Sequence, residues 1–249
     1  MDVVYVPWGT GIDKMIGYGA AWLHKQSGDK LVLMTAKAVY QHNALLPRLT
    51  AGAKVATPST VWKVDWRGGP VLAPWPSDKV LSTISDNVAE RVTGVCVLPW
   101  GEDAYAEAWL AAHNATNLLT GQPQAPRDEL LHPVVTMAME YLTNTVNHAN
   151  GLAGSDRDRV IGALLALVHA GYRFDVDALI AWALANGFTG SEVERLRDYA
   201  TKALAGHRFR IRGFGALRAD IVAVWERKAR ERGLDFTEPD GGLRSSRDS

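Results

Sequence analysis

Cysteine is almost absent: Cys96, in the apolar run GVCVLPW, is the only one in 249 residues. One thiol cannot close an internal disulfide, so a bridge-stapled scaffold is excluded and a small buried hydrophobe in a reducing compartment is expected. Net charge is absent too. The 27 basic residues balance 27 acidic ones, which excludes a whole-molecule attraction to polyanions. No apolar run approaches the roughly twenty residues of a membrane span. The opening MDVVYVPWGT has neither the basic nor the long apolar region of a secretory signal. These absences predict a cytoplasmic protein with no membrane partner. The seven histidines are scattered without ligand spacing, so neither a metal nor another cofactor is expected. No residue earns a catalytic assignment from the sequence.

What is present is a change of period halfway along the chain. VVYVP, KLVLMT, KVAT, GGPVLAP and TGVCVLP are short β-rich runs, and GIDKMIGYGAAWLHKQ, KVLSTI and EDAYAEAWLAAHN between them have helical spacing. Strands alternating with helices predict a doubly wound, mostly parallel sheet, a Rossmann-like α/β domain over residues 1–121. Runs apolar at nearly every position, such as LVLM and VCVL, suit strands covered on both faces. GQPQAPRDE reads as a linker at 122–130. Beyond it the strands vanish, and 131–233 reads as an all-helical domain. Asp156, Asp175 and Ser191 are its expected N-caps, and Gly171, Gly187 and Gly206 its stops. A mobile tail is expected at 234–249.

Three apolar runs end in the same phrase: VYVPWGTG, VLAPWPSD and CVLPWGED. Proline cannot continue the ladder of a central strand, so Pro7, Pro74 and Pro99 mark strand ends. In a parallel sheet those ends share one edge, the edge where open α/β sheets bind ligands. Trp8, Trp75 and Trp100 are therefore expected together, either as an aromatic pocket for a nucleotide-like planar molecule or as packing that covers the sheet end. Gly9 and Gly11 supply Gly-x-Gly after the first strand, but Lys14 stands where a dinucleotide fingerprint needs a third small residue. The stretch still offers helix N–H groups and a lysine to a phosphate. Ser77 is either a helix cap or a pocket hydroxyl. Asp78, Glu102 and Asp103 follow the tryptophans and read best as first-turn acids of helices.

Charge gathers in the helical half. From Arg195 to Gly233 there are 11 Lys or Arg against 4 Asp or Glu, whereas residues 1–121 carry 10 of each. ALIAWALANGFTGSEVERL is similar to a helix-turn-helix unit, with Arg195 and Arg197 near bases or phosphates, though Glu192, Glu194 and Asp198 oppose that use. HRFRIRGFG alternates His207, Arg208, Arg210 and Arg212 with Phe209, Ile211 and Phe214, the pattern of an extended basic edge able to follow a phosphate backbone.

GGPVLAPWPSDKVL with VCVLPW, followed by LTNTVNHANGLAGSDRDRVIGALLALVHAGYRFDVDALIAWALANGF, resembles a group of uncharacterised actinobacterial and actinophage proteins over most of the chain. That resemblance implies a cytoplasmic, mobile-element protein and brings no activity or site residue with it. The leading expectation is a non-catalytic, regulatory protein that associates with DNA or RNA through the basic segment. The alternatives are an enzyme or sensor that binds a nucleotide or planar molecule at the Pro-Trp edge, and a protein-interaction module.

Overall fold

The computed structural model describes residues 1–124, 131–211, 217–237 and 239. The chain divides into two compact units, Met1–Arg127 with Thr189–Ser191, and Asp128–Phe188 with Glu192–Ser249.

The first unit is built on six parallel strands: β1 Asp2–Tyr5, β2 Leu31–Leu33, β3 Lys54–Ala56, β4 Gly69–Pro74, β5 Val92–Leu98 and β6 Thr116–Asn117. Their order across the sheet is β3-β2-β4-β5-β1-β6. The alternation of a strand sends Val4, Val6, Val32, Met34, Leu72, Cys96 and Leu98 to one face, where they share a core with Met15, Ile16 and Leu23 of α1 (Ile12–Lys25). The intervening Val3, Leu31, Leu33, Val71, Ala73, Val95 and Val97 are buried as well, so both faces are covered, as the continuous apolar runs predict. The chain crosses from β1 to β2 in one direction along the sheet and from β4 to β5 and β5 to β6 in the other, so the right-handed rule assigns α4 (Asp78–Ser82) and α5 (Ala104–Ala112) to the face opposite α1. Helix α1 lies close on the sheet because Gly19 has no side chain: a Cβ there would come within 2.9 Å of Leu72 Cδ1 and 3.0 Å of Leu98 Cδ2.

The irregular AVYQHNALLPRL forms two short helices, α2 (Lys37–His42) and α3 (Leu46–Leu49). Asn43 separates them, its Oδ1 accepting the N–H groups of Leu45 and Leu46 at 2.9 and 2.8 Å. The two-residue β6 carries no apolar pattern and escapes sequence reading. The expected linker at 122–130 begins tied to the sheet, since Asn117 N–H donates to Gln122 O at 2.8 Å and Gln124 N–H to Ala115 O at 2.7 Å; its residues 125–130 lie outside the described residues.

The second unit holds α6 (Pro133–Thr145), α7 (Ser155–His169), α8 (Val176–Ala185), α9 (Gly190–Leu204, whose first two residues group with the first unit) and α10 (Ile221–Glu231). Asp175 caps α8 as expected, accepting Ala178 N–H at 2.8 Å. Gly171, Gly187 and Gly206 end their helices at φ 88°, 88° and 73°. Two expected caps fall elsewhere. Ser191 lies inside α9, and Asp156 lies inside α7, where it is buried and accepts Arg159 Nη1 at 3.0 Å. His207–Ile211 form no strand, because no second strand exists among the described residues of this unit to complete a ladder. The expected tail starts as packed chain: Phe236 meets the His132 ring at 5.4 Å, and His132 Nε2 approaches Thr237 O at 3.4 Å. Residues 238 and 240–249 lie outside the described residues.

Candidate aromatic site at the carboxyl edge of the sheet

Strands β4, β5 and β1 are consecutive neighbours and parallel, so the three Pro-Trp phrases leave the sheet side by side. Pro74 is the last residue of β4, Pro99 follows β5 directly, and Pro7 follows β1 after Val6. Two further backbone bonds hold the exits in register: Trp75 N–H to Leu98 O at 2.7 Å and Val6 N–H to Val97 O at 3.1 Å. The three indoles meet as the spacing predicts. Trp8 and Trp100 have ring centroids 4.9 Å apart at 48°, and Trp75 stands edge-on to Trp100 at 6.0 Å and 87°.

Their exposure separates the two readings of the cluster. Trp75 is half-buried against the core of the α1 face. Trp8 and Trp100 are 41% and 56% exposed, so they do not serve as packing alone. Neither do they form a slot. A planar ring held between two others needs them about 7–8 Å apart, twice the separation of carbon atoms in contact, and the observed centroids are closer than that. The cluster is a platform of touching rings, two of which stay widely exposed.

Gly9 and Gly11 have φ of 96° and 92°, and a Cβ on either would meet nothing within 4 Å. They are glycines for their left-handed backbone, not for close packing. Thr10 closes the turn, its Oγ1 donating to Pro7 O at 2.8 Å. Gly11 is the N-cap of α1 and no side chain caps that helix. Its first turn borders a shallow recess of about 400 Å³ lined by Thr10, Gly11, Ile12, Asp13 and the exposed Lys14. Ser77 stands at the N-cap of α4 but its hydroxyl caps nothing; its N–H donates to Thr35 Oγ1, another group at this edge, at 3.3 Å. Asp103 is a structural acid, accepting Tyr105 and Ala106 N–H groups at 3.0 and 3.2 Å. Glu102 is exposed.

Two features escaped sequence reading. Trp75 has a left-handed backbone at φ 47°, and its Nε1 is buried without a hydrogen-bond partner among the described residues. At α5, His113 stacks on Trp109 with centroids 4.0 Å apart, its Nδ1 2.8 Å from Trp109 O and its Nε2 3.5 Å from Ser85 Oγ. Burial lowers the His113 pKa below its ordinary value. The spacing of Trp109 and His113, four apart on a helix, was the available signal. Trp62 and Trp66 belong to the opposite edge. Arg91 lies over their rings at 5.1 and 5.2 Å, and Trp66 Nε1 donates to Asp29 O at 2.7 Å.

Most cations of the basic excess in the helical half have partners within that half, several of them in exposed ion pairs. Arg195 donates to Gly151 O. Arg197 pairs with Asp177, Lys202 with Asp198, Arg218 with Asp220 and Arg232 with Glu140, each at 2.7 Å. Arg227 pairs with Glu231 at 3.6 Å, and Arg230 covers the Phe236 ring. Glu192, expected to face a polyanion beside Arg195, is instead fully buried and takes His148 Nδ1 at 2.9 Å. Arg208 and Arg210 are exposed with no ion pair among the described residues; Arg212 lies outside them. Among the described residues no group of His, Cys, Asp and Glu is arranged to hold a metal ion, and no helix is long and apolar enough to cross a membrane.

Neither the curated proteins nor the solved structures contain a match to the chain. Residues 131–226 are similar to a domain family of unknown function, DUF1889, a match that spans α6 to α9, reaches into α10 and leaves the sheet and its tryptophans outside it.

Proposed function

We propose that the first unit binds a planar small molecule, a nucleotide or another heteroaromatic compound, at the carboxyl edge of its sheet, as an enzyme or sensor. The observation that carries this reading is the contact of Trp8 with Trp100 at 4.9 Å while both rings stay widely exposed. Exposed indoles on the exits of adjacent parallel strands form a stacking surface where such sheets receive ligands. Gly9, Gly11, Lys14 and Ser77 are the polar groups of the same edge. A reducing, cytoplasmic setting belongs to this proposal, supported by the buried Cys96 thiol, whose pKa burial pushes up. So does the kinship with actinobacterial and actinophage proteins read from the sequence.

The test is a tryptophan-fluorescence titration with a panel of mononucleotides and with single- and double-stranded oligonucleotides at low and high salt. Saturable quenching by one mononucleotide is expected. It weakens about 5- to 150-fold in Trp8→Ala and Trp100→Ala, since a stacked base contributes about 1–3 kcal/mol. No response to any planar ligand refutes the reading. A second reading, DNA or RNA association through the basic segment, is supported by the exposure of Arg208 and Arg210. It predicts oligonucleotide binding that falls steeply with salt and is lost in Arg208→Ala/Arg210→Ala but not in Trp8→Ala.

A further inference from the structure

The geometry points to Trp75 as the polar handle of this site: its indole N–H receives a hydrogen-bond acceptor carried by the planar ligand, and Trp100 is the cover that moves to admit it. This rests on the platform reading above and adds a ligand class to it, a heteroaromatic ring with an in-plane acceptor.

Three observations carry it. The first is the donor itself. A buried indole N–H normally finds an acceptor, and Trp66 at the far edge of the sheet does so through Asp29 O at 2.7 Å. Trp75 Nε1 is buried and has none among the described residues. An unmet donor of this kind carries a desolvation cost that a ligand acceptor would remove.

The second is the backbone. Trp75 has φ 47°, a region unfavourable for a bulky residue, and its N–H is bonded to Leu98 O at 2.7 Å. The strained conformation is thus held by the neighbouring strand, and it turns the side chain at the very end of β4. Strain kept at the mouth of a sheet, next to an orphan donor, fits recognition better than packing.

The third is the neighbour that packs on it. Trp100 stands edge-on to Trp75 at 6.0 Å, is 56% exposed, and is followed by Gly101 at φ 64° with nothing within 4 Å of a Cβ built there. An indole with open solvent on one side and a glycine behind it can swing without displacing the core. Movement of Trp100 exposes the Trp75 edge, and the displaced ring then stacks on the arriving ligand.

Quinoline and naphthalene test this, because they share a shape and only quinoline carries an acceptor nitrogen. Dissociation constants of both are measured by fluorescence at pH 8 for the full chain and for Trp75→Phe, which keeps an aromatic ring and loses the N–H. The naphthalene-to-quinoline ratio of dissociation constants is expected to be roughly three- to tenfold higher in the wild type than in the variant, the worth of one neutral hydrogen bond. Taking this ratio of ratios cancels the difference in hydrophobicity between the probes. In ¹⁵N-tryptophan-labelled protein, the Trp75 Nε1–H resonance is expected to move downfield with quinoline and not with naphthalene. The wild-type spectrum keeps the proposal testable if Trp75→Phe fails to fold. Binding of both probes with equal ratios and an unmoved resonance overturns the handle and leaves the platform standing. Binding of neither probe overturns both.

Discussion

Replacing Gly69, the buried first residue of β4, by alanine is expected to destabilise the first unit more than the same change at the exposed turn glycine Gly52. Gly69 opens β4 at φ 144°, and a Cβ there would lie 2.5 Å from Asp29 O, 2.9 Å from Asp29 N and 3.2 Å from Asp29 C. All three are backbone atoms, so no rotamer change relieves the clash. Asp29 is also held from several sides. Its carbonyl accepts Trp66 Nε1 at 2.7 Å, its N–H donates to Gly68 O at 3.2 Å, and its carboxylate pairs with Lys54 at 3.1 Å. Gly52→Ala is the control. That residue has φ 86° and nothing within 4 Å of its Cβ position, so the substitution costs only the left-handed backbone, about 1–2 kcal/mol. Gly69→Ala adds an overpacking cost of about 1–3 kcal/mol, for about 2–5 kcal/mol in total. Urea unfolding followed by fluorescence reads this unit directly, because seven of the nine tryptophans, Trp8, Trp22, Trp62, Trp66, Trp75, Trp100 and Trp109, lie in it. At a slope of about 2 kcal/mol per molar urea, the Gly69→Ala midpoint falls by about 1–2.5 M. Equal midpoints for the two variants would refute the claim that close approach of the Asp29 and Gly69 backbones constrains this end of the sheet.

Other outcomes are expected from single contacts. Asp103→Ala removes the acceptor for Tyr105 and Ala106 N–H groups and lowers stability by about 1 kcal/mol, whereas Asp103→Asn or Asp103→Ser retains most of it, by the same urea midpoints. Burial lowers the His113 pKa, so the unfolded chain binds its proton first: the stability contribution is full above about pH 6.5 and is lost as pH falls below that toward the folded value. His113→Gln should therefore show a smaller loss of midpoint than wild type between pH 7.5 and 5.5; an identical loss contradicts the assignment. Trp62→Ala removes one of the rings that face Arg91, at 5.1 Å, and lowers stability by about 0.5–1 kcal/mol, an effect that vanishes in an Arg91→Ala background.

The Pro-Trp site was legible because two local rules combine. Proline ends a strand, and parallel strands end on the same side, so three identical phrases had to face one edge whatever the strand order. Adjacency of β4, β5 and β1 is a different matter: it depends on which crossovers pass which way, and nothing in VYVPWGTG states its neighbour. The choice between slot and platform lay further out of reach, since 48° and 4.9 Å between Trp8 and Trp100 are set by loop backbone and rotamers rather than by composition. The basic segment was legible only as a count. A count of Lys and Arg along Arg195–Gly233 sees charges without their partners, and Glu140, which takes Arg232, lies 92 residues away. The alternation in HRFRIRGFG likewise has the period of a strand, but a ladder needs a second strand, and the unit around it supplies helices.

That contrast bears on where activity should be sought. The span similar to a known domain family is the one in which Arg195, Arg197, Lys202 and Arg218 already have carbonyl or carboxylate partners of their own. The sheet unit, outside that span, has two exposed indoles in contact at one edge, with the left-handed Trp75 and its unpartnered Nε1 beside them. Apolar surface left exposed and gathered in one place marks a binding surface. The tryptophan edge is therefore the place to test first, and among the described residues of the basic segment the exposed Arg208, Arg210 and Lys228 compete with it.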